Sequence, residues 1–371
     1  MPAVSPKRIE APVERASVAA YTIPTQSPES DGTLEWDSTT LVTVEVAAGG
    51  MTGFGHTYAA AASASLIQDV FVDLIRGRDA FAISDAWRAM VAAVRNTGRP
   101  GIASTAISAV DSALWDLKAR LLNLPLVTLL GAVRTAVPVY ASGGFTSYSV
   151  PELQRQLSGW VESGIGRVKM KVGREPHADV SRVRAAREAI GVAELFVDAN
   201  GAYSRKQAQG FANLFAEFQV SWFEEPVSSD DLEGLRLLRD TAPPGMEITA
   251  GEYGYDVWYF RQMLQAGAVD VLQADATRCL GITGFMQAAA LCDAFHVPLS
   301  AHTAPSLHAH VCCALPAVRH VEYFHDHARI EQMLFDGALQ PARGELRPDV
   351  SRSGMGVEFK RRDAERFQIP V

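Results

Sequence analysis

Two lysines separated by a single residue, in Val168-Lys169-Met170-Lys171-Val172, are the most concentrated chemical signal in the chain. β-Branched ends and period-two alternation mark this stretch as a strand. Residues at i and i+2 of a strand share a face. Lysine is rarely buried without a partner, so two on one inward face require negative groups nearby. The next strand-like runs supply them. Run 194–200 ends in Asp198 and Asn200, run 221–226 contains Glu224 and Glu225, and run 247–252 ends in Glu252. Run 269–275 ends in Asp275, run 298–302 ends in His302, and run 320–324 carries Glu322. Hydrophobic strands with charged last residues, repeated at one strand–helix unit per step, indicate a parallel barrel with its site at the carboxyl ends.

Taken in order, Lys169-Met-Lys171, Asp198-Ala-Asn200, Trp222-Phe-Glu-Glu-Pro226, Ala250-Gly-Glu252, Asp275, His302 and Glu322 resemble the mandelate racemase subgroup of the enolase superfamily. The likeness spans nearly the whole chain, and its strength lies in the ordered set, since any one motif alone is weak. It implies an α/β protein with a modified TIM (β/α) barrel and an N-terminal α+β capping domain that carries the specificity loops. It also implies Mg²⁺-dependent removal of the proton next to a carboxylate, through an enediolate, with one divalent ion per subunit. Enolase-type sites that pair a Lys or His base with Mg²⁺ are a known pattern of tuned proton affinity.

The residues support that chemistry directly. Three carboxylates converging from adjacent strands repel one another unless a cation lies among them. An oxygen-only set of Asp198, Glu224 and Glu252 suits a hard ion such as Mg²⁺. Glu224 and Glu225 should face opposite ways, so only one can be a ligand; the resemblance assigns Glu224 and leaves Glu225 to a surrounding shell. Lys171 should lose proton affinity beside a cation, which suits a general base. Lys169, one layer away, is expected to hold a substrate carboxylate. Asp275 should fix the tautomer of His302 and raise its basicity. Glu322 is expected to hydrogen-bond the substrate carboxylate as an acid. Asn200 and His56 are expected to contact substrate or support the site.

Two bases, Lys171 and His302, permit racemisation or epimerisation, dehydration, or cycloisomerisation through loss of a ring oxygen. The polar stretch 25–32 favours a hydroxylated substrate, because buried hydroxyls need partners. The leading expectation is therefore dehydration of a sugar acid to a 2-keto-3-deoxy acid. A non-catalytic carboxylate-binding protein is the contrasting class, disfavoured by the intact Lys171 and Asp275–His302 set.

The surrounding elements must hold this set in place. From Val137 onward short strands and helices alternate, eight strands in all, through about residue 335. Residues 1–133 read as the capping domain: a polar segment to about Ala20, a surface loop over 21–35, strands over 40–46 and 51–58, and helices over 59–76, 80–95 and 104–122. Residues 336–371 read as a tail that packs back on the capping domain. Hydrophobic residues at 48% and charged residues at 20% describe a globular chain. A net charge of −8 argues against nucleic acid as a partner. The four cysteines show no CxxC spacing and read as reduced core thiols. Neither a signal peptide nor a membrane helix is legible. A cytoplasmic homo-oligomer, between dimer and octamer, acting on a small carboxylate is expected. The histidine pairs His308/His310 and His325/His327 do not match a zinc barrel, although His325 could reach the mouth.

Overall fold

The computed structural model describes residues 10–371, so the start of the expected N-terminal segment, residues 1–9, lies outside the described residues. Three antiparallel strands open the chain: β1 (Arg15–Ser30), β2 (Glu35–Ala48) and β3 (Met51–Tyr58). Against expectation, most of 21–35 is strand rather than loop. β1 pairs with β2 from Arg15↔Ala47 to Pro24↔Ser38, breaks register, and pairs again at Glu29↔Trp36. The turn-forming residues at 25–28 make a bulge in a continuing strand. The reversal comes later, where the Asp31 carboxylate accepts hydrogen bonds from the Thr33 and Leu34 amides.

Helices α1 (Ala62–Leu66) and α2 (Val72–Ile75) follow, joined by a π-helical turn at Ile67–Phe71. Then come α3 (Ile83–Ala93), α4 (Ile102–Leu121) and α5 (Leu126–Leu130). Helix α4 crosses β3 at two glycines. A Cβ on Gly53 would lie 2.3 Å from the Ala113 carbonyl oxygen, and one on Gly55 2.1 Å from that of Ala109. Only glycine permits so close an approach.

The barrel comprises β4 (Val137–Gly143), β5 (Arg167–Lys171), β6 (Glu194–Asp198), β7 (Val220–Glu224), β8 (Glu247–Ala250), β9 (Val271–Ala274), β10 (Leu299–Ala301) and β11 (Val318–Phe324). All pair in parallel, and β11 closes on β4. After β4 to β10 come α6 (Val150–Glu162), α7 (Pro176–Ile190), α8 (Arg205–Ala216), α9 (Leu232–Thr241), α10 (Val257–Ala266), α11 (Gly281–Phe295) and α12 (Pro305–Cys313). α13 (His325–Leu334) follows β11. Outward residues such as Val168, Met170, Leu195, Val197 and Phe223 are wholly buried in the main core. Inward ones change with height. Tyr140, Phe196, Trp222 and Val271 form a separate apolar cluster. On β5, β6 and β7 the inward residues nearer the carboxyl ends are Lys171, Asp198 and Glu224, which are register partners. The period of two that makes a strand thus sorts apolar from charged residues, and the end of each strand brings the charges to one mouth.

The tail adds β12 (Phe335–Asp336), β13 (Glu345–Leu346), β14 (Glu358–Phe359) and β15 (Gln368–Ile369). β13 pairs with β4 of the barrel and β15 with β1. Further ties hold the two halves together. The Asp111 carboxylate accepts from the Thr283 amide and hydroxyl, and the Trp87 indole donates to the Leu280 carbonyl.

Candidate active site

Asp198, Glu224 and Glu252 end β6, β7 and the segment after β8. They are buried, and each offers an oxygen within 4.8 Å of the others. Glu224 is the most heavily engaged. It accepts both oxygens' bonds from Lys169 at 2.7 Å, one from the Trp222 indole at 3.0 Å, and one from Gln273 at 2.9 Å. Burial and the neighbouring Asp198 still push its pKa well up. A buried acid that remains this reluctant to ionise is one that a cation would relieve. The donor set is all oxygen, so the three residues fit a hard divalent ion.

Both lysines sit inside. Lys171 donates to Asp198 at 2.5 Å and to Asn200 at 3.1 Å, and it lines the mouth cavity. Burial lowers the proton affinity of its amine, but Asp198 outweighs that, and the pKa is raised. Against these carboxylates alone, the sign is opposite to that expected beside a cation. Lys169 differs from expectation in position as well. It is fully enclosed above Tyr140, bonded to Glu224 and 2.8 Å from Glu322, and it does not line the cavity. Its ammonium is engaged by these two acids.

On the far side, His302 Nδ1 meets Asp275 Oδ2 at 2.9 Å. Asp275 is fixed in turn by the amide and hydroxyl of Thr277, both at 2.7 Å. His302 Nε2 lies 3.2 Å from Glu252 and 3.7 Å from Glu322. Burial opposes the imidazolium, yet Glu252 outweighs it, and the pKa rises to about 9. Burial raises the pKa of Glu322, but Lys169 outweighs it and brings it down to about 2. Glu322 accepts a hydrogen bond from the Thr303 amide at 3.2 Å. Left-handed backbone at Asn200, Glu225, Thr303 and Ala304, φ 44°, 37°, 54° and 39°, clusters at these strand ends, where such strain is commonly found.

Glu225, with φ 37°, ends the pleat; it is not one of the three converging carboxylates and lines a neighbouring cavity with Asn200. Burial, then Glu252 and Asp198, push its pKa well up. Two further expectations are corrected. His56 does not reach the mouth. It packs among Phe54, Tyr58 and Phe335, and burial lowers its pKa to about 4. On β3 it faces inward among aromatic rings, whereas Tyr58 lines the cavity. His325 packs on Phe145 and Trp160, and it is His327 that reaches the cavity.

Sequence reasoning passed over Arg278 and gave no role to His308 or His327. Arg278 lines the cavity, 3.7 Å from Asp275 and 3.8 Å from Glu252. Its place three residues after Asp275 was the available clue. His308 accepts from the Ala276 amide at 2.9 Å and donates to the Thr303 carbonyl at 2.7 Å, tying together the loops that carry Asp275 and His302. His327 lies in the first turn of the last barrel helix, in the histidine pair from which His325 was the one expected at the mouth.

Residues 17–131 match the mandelate racemase/muconate lactonizing enzyme N-terminal domain, and residues 152–364 the enolase C-terminal domain-like model. The chain belongs to the mandelate racemase/muconate lactonizing enzyme family. A member of that family from Streptomyces coelicolor, 3,6-anhydro-alpha-L-galactonate cycloisomerase, is 35% identical, over 94% of this chain and 98% of its own length. A crystal structure of a mandelate racemase/muconate lactonizing enzyme-like protein from Rubrobacter xylanophilus is 54% identical, with a TM-score of 0.95, covering 96% of this chain and 100% of that one. L-Talarate dehydratase from Polaromonas sp. JS666, complexed with Mg and L-glucarate, is 29% identical, with a TM-score of 0.87, covering 97% and 98%. The chain is thus an enolase-superfamily enzyme, a lyase or an isomerase. No helix among its described residues is long and apolar enough to cross a membrane.

Proposed function

We propose that the protein removes the proton next to the carboxylate of a sugar acid and expels the oxygen on the neighbouring carbon, giving a 2-keto-3-deoxy acid. The observation that carries this reading is the pair Lys171 and His302. They line one cavity from strands separated around the barrel by β6 to β9, and each is fixed by its own carboxylate. Asp198, Glu224 and Glu252 would hold Mg²⁺. When bound there, the ion supplies positive charge that neutralises the substrate carboxylate, acidifies the adjacent C–H and lowers the proton affinity of Lys171.

Lys171 Nζ takes the α-proton, and the electron pair becomes the enediolate. His302, whose proton affinity Glu252, Glu322 and Asp275 raise against burial, gives its Nε2 proton to the leaving hydroxyl, which departs as water. Asp275 holds the ring in the orientation that this transfer needs. The resulting enol returns a proton to carbon to become the keto acid. Lys169 neutralises Glu224 and Glu322 and keeps the floor of the site in place. Asn200 and Glu225 support Lys171 and the three acids. A cytoplasmic homo-oligomer is part of the same proposal.

A second reading, cycloisomerisation, is favoured by a relative that matches almost end to end. It differs only in the leaving group, a ring oxygen that stays attached. Incubation of sugar acids and anhydro acids with the Mg²⁺-loaded protein in heavy water separates the cases. A keto product lighter by one water is expected. An isomer of unchanged formula would move the assignment to cycloisomerase, and α-deuterium with inversion and no keto product would move it to a racemase.

A further inference from the structure

The mouth cavity, about 400 Å³, has two unlike walls. The barrel wall carries the charges: Lys171, Glu252, Arg278, His302 and Glu322. The capping wall is built from Trp36, Ser38, Thr39, Thr40 and Tyr58, with Asp31 as its one charged residue among those described. Asp31 is occupied by its own turn. Where the walls meet, Tyr58 stacks on His327, ring centroids 3.5 Å apart at 15°. His327 is braced by the edge of Phe324 at 5.2 Å, and Tyr58 by His56 at 5.6 Å. Both residues line the cavity while being only 8% and 7% exposed. The Tyr58 hydroxyl and His327 Nδ1 find no hydrogen-bond partner among the protein's own groups. Buried polar atoms are ordinarily paired, so two unpaired atoms on adjacent rings of a substrate cavity await a ligand.

We propose that Tyr58 and His327 read a hydroxyl of the substrate, and that the substrate is a mono-carboxylic sugar acid whose far end is neutral. This rests on the α-proton chemistry proposed above and names the substrate class for the same site. Burial holds His327 well below the ordinary histidine range, so it is a neutral ring that can accept a hydroxyl proton. The Tyr58 hydroxyl can both donate and accept. Together they offer a donor and an acceptor, which a hydroxyl can satisfy at once and a carboxylate, able only to accept, cannot. A second carboxylate on the capping wall would meet hydroxyls, aromatic rings and the Asp31 anion. The cavity's cations are all on the barrel wall and already face acids: Lys171 faces Asp198, His302 faces Asp275 and Glu252, and Arg278 faces Glu252 and Asp275. A buried charge without a partner is strongly disfavoured.

The test uses the Mg²⁺-loaded protein with aldonates and aldarates of matched configuration. Binding is read by calorimetry, and α-proton exchange in heavy water is read separately. The expected result is tighter binding and a higher kcat/KM for the aldonate. Tyr58→Phe keeps the stack and removes only the hydroxyl. It should raise KM for the aldonate roughly tenfold, with kcat little changed. With an analogue lacking the recognised hydroxyl, wild type and Tyr58→Phe should converge, which a purely structural role would not produce. Tighter binding of the aldarate, or an unchanged KM in Tyr58→Phe with every aldonate, overturns this inference and leaves the α-proton chemistry standing. Selective aldonate binding without exchange from any acid overturns that chemistry and leaves the recognition intact.

Discussion

The two ends of the barrel make an instructive pair. At the amino-terminal end, a cavity of about 630 Å³ is lined by Arg167, Glu194, Arg239, Glu247, Asp270 and Arg319. These six form three one-to-one pairs, Arg167–Glu194 and Arg239–Asp270 at 3.0 Å and Arg319–Glu247 at 2.5 Å, all half-exposed. At the carboxyl end, the cavity that Lys171 and His302 line is smaller, about 400 Å³, but the acids there are buried and share their cations. Asp198 lies near both lysines, Glu224 and Glu322 share Lys169, and Glu252 shares His302 with Asp275. Cavity size is therefore no guide to the site. Exposed pairs of matched charge are worth little and ask nothing of a ligand. Buried acids that outnumber their cations leave a deficit that a metal and a substrate can fill.

The largest effect that would sharpen this contrast is removal of the divalent ion. Rigorous chelation should reduce turnover to background, and readdition of Mg²⁺ should restore it. Full activity in metal-free protein would end the interpretation of the mouth as a charge deficit. Next come the bases. Lys171→Ala and His302→Asn should each lose about 10²–10⁴-fold in kcat while still binding metal by calorimetry. Near wild-type turnover in either would remove that residue from the mechanism.

Asp275→Asn should cost less, about 10–100-fold, since it acts through the orientation of His302. The pKa that His302 shows in the pH–rate profile should also fall, because a hydrogen-bonding carboxylate is gone. A profile that does not move would leave Asp275 a packing residue.

A smaller effect lies behind the capping wall. Glu29 accepts from the Trp36 indole at 3.0 Å; burial, and then Asp326, raise its pKa to about 8. Its folded pKa thus exceeds the unfolded value of about 4.3. The folded state binds the proton more tightly, so the contribution to stability is full below the unfolded value and is lost as pH rises towards 8. Glu29→Gln should gain Tm over wild type between pH 5 and pH 8.5, and equal shifts at both pH values would refute the assignment. Smallest of all, Arg319→Gln at the amino-terminal end should change stability by no more than about 1 kcal/mol and leave kcat/KM unaltered. Glu252→Gln, an equally small edit at the mouth, should abolish metal binding.

The sequence by itself determined the barrel, its strand count and the charged set at the strand ends. Those rest on period-two alternation and on the order of residues along single elements, which are local properties. The helices expected to alternate with the strands appear between them for the same reason. Only the tertiary structure decided what depended on two distant elements meeting. The bulge that extends β1 is set by its register with β2. Glu225 leaves the strand pleat through a left-handed backbone that alternation cannot anticipate. Lys169 is enclosed between Glu224 and Glu322 because β5, β7 and β11 place their side chains within one contact. Tyr58 and His327 come from opposite ends of the chain. Their stack exists only because the capping domain seats β3 over the last barrel helix, and no local pattern carries that information.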